Sequence, residues 1–174
     1  MKFIACSSAL LLVLASIVSG TTVAQVKSDI AAIDSAVSSL NQQLQSNSLN
    51  YFSALSIHNA AVAVDDKIKS GTSDVDALTQ TPSDADAKEI ISTLTGTEAN
   101  VKSATNRLIV LKPQFDSLGV TGIAKGDINN LKTDTAAFGA ALVKVAPSAE
   151  KSAAQALADK FNADLANAAA AYNS

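Results

Sequence analysis

Few residues in this chain could do chemistry. There is one histidine, His58, and one cysteine, Cys6. Nucleophilic catalysis needs a nucleophile, a base and a group that orients the base. With one histidine and no Gly-x-Ser-x-Gly turn, these types do not supply that set. Zinc or di-iron chemistry needs a Cys/His cluster or Glu-x-x-His pairs, and neither pattern occurs. Asp65-Asp66 and Asp74 with Asp76 are acidic pairs, but the glycine and distal glutamate of a calcium loop are missing. They read as solvated charge. No glycine-rich loop is present to cradle a phosphate. His58 lies in an apolar segment and reads as a hydrogen-bonded buried histidine or a surface one. No catalytic residue, metal ligand or cofactor is assigned.

Charge and the chain ends narrow the classes further. The formal net charge is −3. Lys2 precedes Phe3-Ile4-Ala5 and the apolar run Leu10-Leu11-Leu12-Val13-Leu14, with small residues after it. This pattern predicts a secretory signal peptide over residues 1–20, with Gly20 or Ala24 as the cleavage position. The run is short for a bilayer span, so no transmembrane segment is expected. Cys6 falls inside the signal, and the mature domain, residues 21–174, is expected to carry no thiol. Removing Lys2 leaves 12 basic against 16 acidic residues, a net of −4. A mildly acidic, mixed surface argues against nucleic acid and against an anionic membrane face. No long apolar tail follows Ala168–Ala171, so no lipid-anchor signal is expected, and no Asn-x-Ser/Thr acceptor occurs.

The remaining signal is periodicity. From Ala87 to Leu118 the apolar positions fall three and four apart, through Ile90, Leu94, Leu108 and Phe115. Thr97 alone breaks the run. That spacing places them on one stripe of a helix. Pro113 removes a backbone donor within it, which predicts a kink or break. Residues 22–45 repeat the pattern through Ile30, Ile33, Val37 and Leu40. Residues 49–69 are apolar around most of the circumference, which predicts a helix near the centre of the bundle, with Gly71 as its stop. Residues 72–82 read as a polar link, and Ser83 as the cap of the long helix. A fourth helix is expected from about Ile123 to Pro147, with Gly126 and Gly139 as places of close helix contact. A fifth, Ala-rich helix follows. No stretch alternates with period two for long enough to make a strand. Aromatics are 4% of the chain and Trp is absent, while apolar residues make up 48%. Small aliphatic side chains of this kind suit helices packed together. The expected fold is all-α, an antiparallel bundle of about five helices in one domain.

Such a bundle can show its stripes to a hydrophobic surface or keep an internal gap for an acyl chain. A fully packed core remains open on pattern alone. The candidate contacts are Phe52 and Leu55 in the second helix, Ile91 and Leu94 in the third, and Phe138 and Leu142 in the fourth.

Several local sequences carry a resemblance. They are the leader, Asp29-Ile30 with Ile33, and Ala54-Leu55-Ser56-Ile57-His58 with Ala60-Ala61. The link ending in Ser83-Asp84-Ala85 and then Leu111-Lys112-Pro113-Gln114-Phe115 follow. In this order and spacing the chain resembles the fungal hydrophobic surface-binding protein A family, which includes cell-wall galactomannoproteins. The resemblance implies an all-helical secreted or wall-associated protein that adsorbs to hydrophobic solids and recruits polyester-degrading hydrolases. It also implies fatty-acid binding inside the bundle, as in some mannoprotein members. The chain departs from wall-anchored members in lacking a Ser/Thr-rich tail. The expected function is therefore non-enzymatic binding of hydrophobic surfaces or fatty acids, with secreted hydrolases as possible protein partners. The alternative is a structural wall mannoprotein or antigen with protein or polysaccharide contacts only.

Overall fold

The long apolar stripe winds into a single helix. In this computed structural model, which describes residues 20–173, five helices account for most of the chain. They are α1 (Val23–Leu44), α2 (Tyr51–Asp76), α3 (Asp84–Ser117), α4 (Thr121–Val145) and α5 (Lys151–Asn173). The signal segment and Cys6 lie outside the described residues, apart from Gly20.

Local chemistry sets the ends. Ser83 accepts from the Asp86 amide at 3.1 Å, and Asp84 and Asp86 place negative charge at the positive end of α3. Asn50 and Ser53 bond reciprocally across the first turn of α2, satisfying two otherwise orphan donors. After α3 the chain turns on Gly119, whose φ of 71° suits glycine. The amides of Gly119 and Val120 reach back to the carbonyls of Asp116 and Phe115, which closes the helix and starts α4 two residues later.

Neither Pro113 nor Gly71 ends its helix. Pro113 lies inside α3, yet the helix runs on to Ser117. Just before it, the buried Tyr172 hydroxyl donates to the Leu108 carbonyl at 2.8 Å. Likewise α2 does not stop at Gly71 but continues to Asp76, through the first residues of the expected polar link. Glycine is there for packing. A Cβ at Gly71 would stand 3.2 Å from Phe138 and 3.3 Å from Ile33.

The helices form a closed ring in the order α1, α2, α4, α5, α3 and back to α1. Directions follow from cross-helix contacts. Gly71 lies against Asp29 and Ile33, and Gly139 against Ala158, so α1/α2 and α4/α5 are antiparallel. Lys27 bonds Asp86 and Glu89 at one end, while Arg107 reaches the Leu44 and Ser46 carbonyls at the other. That makes α1 and α3 parallel. The pairs His58–Asp127 and Lys69–Asp134 make α2 and α4 parallel, and Lys88–Glu150 with Tyr172–Leu108 do the same for α3 and α5. Consecutive helices alternate in direction, as expected of the bundle, but three of the five seams join parallel helices.

No helix occupies the middle, which corrects the expected central position of α2. Its surplus apolar residues face outward instead: Tyr51, Phe52, Leu55 and Val62 are exposed. The two α4 glycines expected at close helix contacts also differ. A Cβ at Gly139 would come within 3.0 Å of the Ala158 Cβ, whereas Gly126 has nothing within 4 Å. Gly139→Leu is therefore expected to force α4 and α5 apart and lose about 1–3 kcal/mol. Gly126→Ala is expected to gain up to about 1 kcal/mol of helix propensity. Urea unfolding of the two variants, followed by circular dichroism, checks both signs.

Candidate functional site

Ring geometry leaves a space along the axis. Five helices spaced ~10 Å apart put each helix axis roughly 8.5 Å from the centre. A helix with its side chains has a radius of about 5–6 Å. A strip roughly 3 Å in radius is left that ordinary aliphatic side chains do not reach. The structure contains such a cavity, lined by residues from all five helices. It leaves about 110 Å³ free. One water needs ~10–15 Å³ on the same measure, so the space is several molecules long.

The wall is almost wholly apolar. Ile33 and Val37 contribute from α1, Val64 and Ile68 from α2, and Phe161 and Leu165 from α5. Helix α3 gives the longest strip, from Ala87 through Leu94 and Ala104 to Leu108. At one end the cavity reaches the inter-helix connections, where Pro82 and Ala146 line it. The other end is plugged by fully or nearly fully buried Leu44, Leu111, Phe115 and Tyr172. The Phe115 and Tyr172 rings meet edge to face at 6.4 Å.

Three threonines interrupt this wall: Thr97, Thr105 and Thr135. The Thr97 hydroxyl is 2.7 Å from Asp34 Oδ1 and 3.2 Å from the Thr93 carbonyl, and Thr105 donates to the Lys102 carbonyl at 3.1 Å. Those bonds satisfy the buried hydroxyls of Thr97 and Thr105 within the wall itself. The break in the α3 stripe at Thr97 is thus a polar tie between α1 and α3.

A smaller recess of about 40 Å³ lies between α2 and α4. Tyr51, Leu55 and His58 line it on one side and Val120, Ile123 and Asp127 on the other. Leu40, Leu108, Ile128 and Leu131 line both spaces, so this one layer separates them. His58 Nδ1 lies 2.9 Å from Asp127 Oδ2, on the half-buried edge of the recess. Burial pushes the Asp127 carboxyl above its ordinary value, and the contact with His58 opposes that rise. His58 is therefore a paired, half-buried histidine.

The sequence-predicted contacts divide into two groups. Ile91, Leu94, Phe138 and Leu142 line the central cavity together. Leu55 lines the small recess and is 44% exposed, and Phe52 stands outside at 80%. Phe52 touches Tyr51 edge to face, and with Leu55 and Ile123 they make an exposed apolar end to the bundle. From Leu49 to Val64 the chain carries no Asp, Glu, Lys or Arg. Sequence reasoning did not single out Ala104, Phe161 or Leu165 as contacts. Their stripes were visible, but which stripe faces an open centre depends on the order of helices in the ring.

Among the described residues no group of three or more acidic, His or Cys side chains is placed to hold a metal ion. None of the described helices is long and apolar enough to cross a membrane.

Comparisons with known proteins bear on this arrangement. No curated protein sequence matches the chain. Among solved structures, AFMP4P in complex with palmitic acid aligns with a TM-score of 0.81 at 24% identity, over 87% of this chain and 99% of that one. Ligand binding domain 1 of Penicillium marneffei MP1, complexed with arachidonic acids, aligns at 0.78 and 16% identity, over 87% and 99% of the two chains. Ligand binding domain 2 of the same protein, complexed with multiple arachidonic acids, aligns at 0.78 and 12% identity, over 87% and 96%. These likenesses establish a shared fold. Residues 23–144 match the family described as hydrophobic surface binding protein A. That match spans most of the chain, and the protein belongs to the hydrophobic surface binding protein A family.

Proposed function

We propose that this is a secreted, non-enzymatic binding protein that takes a fatty-acyl chain into the central cavity of its helix ring. The observation that carries the reading is the cavity itself, whose wall draws aliphatic side chains from all five helices. Each methylene moved from water into such a space gains about 0.8 kcal/mol. A straight hydrocarbon chain matches its elongated, nearly non-polar shape. The complexes of AFMP4P with palmitic acid and of the MP1 domains with arachidonic acids support the same assignment.

The exposed end formed by Tyr51, Phe52, Leu55 and Ile123 has a second task in this reading. It is apolar and its α2 part carries no charge, so it suits an uncharged hydrophobic solid better than an anionic membrane. Family membership supports that assignment. Recruitment of secreted hydrolases to the coated surface, and association with the cell wall, extend the reading to partners.

A fluorescent fatty acid and a polystyrene surface test the two tasks in parallel. The delipidated protein should bind the first at micromolar concentration and deplete from solution onto the second. Failure to bind the fatty acid would remove the acyl site, and failure to deplete onto polystyrene would remove the surface task.

A further inference from the structure

Three of the five seams hold two acidic side chains face to face. At α1/α2 these are Asp29 and Asp74, at α2/α4 Asp65 and Asp134, and at α3/α5 Asp164 and Glu98. In each pair one carboxyl oxygen is buried without a hydrogen-bond partner: Asp29 Oδ2, Asp65 Oδ1 and Asp164 Oδ2. Asp65 is only 7% exposed. Two facing carboxylates have acceptors only, so neither can satisfy the other. One shared proton turns each pair into a donor and an acceptor and satisfies the orphan oxygen.

The surrounding groups do not remove the need for that proton. Gln25 donates to Asp29 Oδ1 at 2.9 Å, Thr21 donates to Asp74 at 3.1 Å, and Lys67 faces Asp29. Lys69 bonds Asp65 Oδ2 at 2.6 Å and lies 3.5 Å from Asp134 Oδ2, leaving Asp65 Oδ1 unpaired. Asp127, held by His58, also faces Asp65. Lys102 faces Asp164. The pairs lie in the seams outside the apolar wall, and residues that line the cavity stand beside two of them along the chain. Val64 and Ile68 flank Asp65, Thr135 follows Asp134, and Phe161 and Leu165 flank Asp164.

We propose that the three carboxyl pairs are a pH-operated latch on the helix ring: shared protons hold the seams closed in acid, and their loss toward neutral pH loosens the seams and speeds exchange of an apolar ligand with the cavity. This rests on the cavity as the ligand site and adds its regulation.

The direction of the pH effect follows from the groups themselves. Burial first, and then the facing acid, raises Asp29, Asp134 and Asp164 above the ordinary 3.8. A group raised on folding stabilises the fold fully below 3.8 and loses that contribution as pH rises through the raised value. Asp86 and Asp116 act oppositely. The first is held down chiefly by its bond from Lys27 and the second by its bond from Thr121, so their contributions disappear as pH falls below 3.8. Greatest stability is expected on the acid side of neutrality.

The variant Asp29→Asn/Asp134→Asn/Asp164→Asn tests the latch, because each amide supplies permanently the N–H that the shared proton supplies. Between pH 4.5 and 7.5 the wild-type Tm is expected to fall by about 3 °C or more, and the variant to fall distinctly less, with only the raised Asp127 left to titrate. Release of diphenylhexatriene, a fluorescent hydrocarbon with no titrating group, should speed up at least about fivefold over the same interval in wild type and hardly at all in the variant. A wild-type Tm that is level or rises, or a variant whose pH profile follows wild type, overturns the latch. If the variant does not fold, the wild-type profile and amide hydrogen exchange across the three seams decide the matter. If diphenylhexatriene binds at neither pH, the proposed function fails, while the melting profiles still decide the latch.

Discussion

Ala104→Phe is expected to weaken acyl binding about 100-fold without unfolding the protein. Ala104 is 4% exposed and lies in the cavity wall on α3. A phenyl ring built there extends into the free space and displaces about four methylenes of a bound chain. At about 0.8 kcal/mol each, the loss is about 3 kcal/mol, or ~100-fold in affinity. The same ring fills a void, so the variant should melt no lower than wild type. A fluorescent fatty acid titration with a thermal melt on the same sample checks both parts. Equal affinity in the two proteins would place the ligand somewhere other than the ring centre.

Phe52→Asp is expected to do the reverse. Phe52 is 80% exposed and touches Tyr51 at the outer end of α2. Its removal takes little from the core. It is the second residue of α2, so a carboxylate there meets the positive end of the helix dipole. Stability should stay within about 0.5 kcal/mol of wild type. Adsorption to polystyrene should weaken by about 1.5–3 kcal/mol, roughly 10–150-fold, because one large apolar contact is lost and a charge must be desolvated. Acyl binding should not change. Together the two variants separate the inside of the ring from its outer end, which a change such as Leu94→Asp cannot do. Leu94 is buried, lines the cavity and belongs to the core, so a charge there should remove fold and binding together.

The helices were legible in the sequence because the stripes are regular and the caps have strong local chemistry. Ser83, with Asp84 and Asp86 behind it, marks the start of α3 by residue type alone. Gly71 shows where that kind of reading stops. A glycine at the edge of a polar stretch reads as a helix end, but close approach by Phe138 and Ile33 is a fact about three helices at once. The same limit explains α2. Its apolar residues were plain, yet which of them face solvent depends on its having two neighbours in a ring rather than several in a packed bundle.

The candidate site was legible by half, for the same reason. Leu94, Ile91, Phe138 and Leu142 converge because they lie on stripes that face the axis. Phe52 and Leu55 have equal hydrophobicity but lie on the outer side of α2, a distinction that periodicity in an all-round apolar helix does not encode. The carboxyl pairs left no sequence signal. Asp29 and Asp74 are far apart along the chain, and only the antiparallel packing of α1 on α2 brings them together. Asp65 belongs to an acidic doublet that reads as solvated charge, whereas the structure buries it and leaves its neighbour Asp66 exposed.

Native mass spectrometry of the delipidated protein, titrated with palmitic acid, tests the central claim most directly. The account expects palmitate to be retained by the wild-type chain and by Phe52→Asp, and largely lost from Ala104→Phe. A wild-type chain that retains no palmitate, or an Ala104→Phe chain that retains as much as wild type, would contradict it.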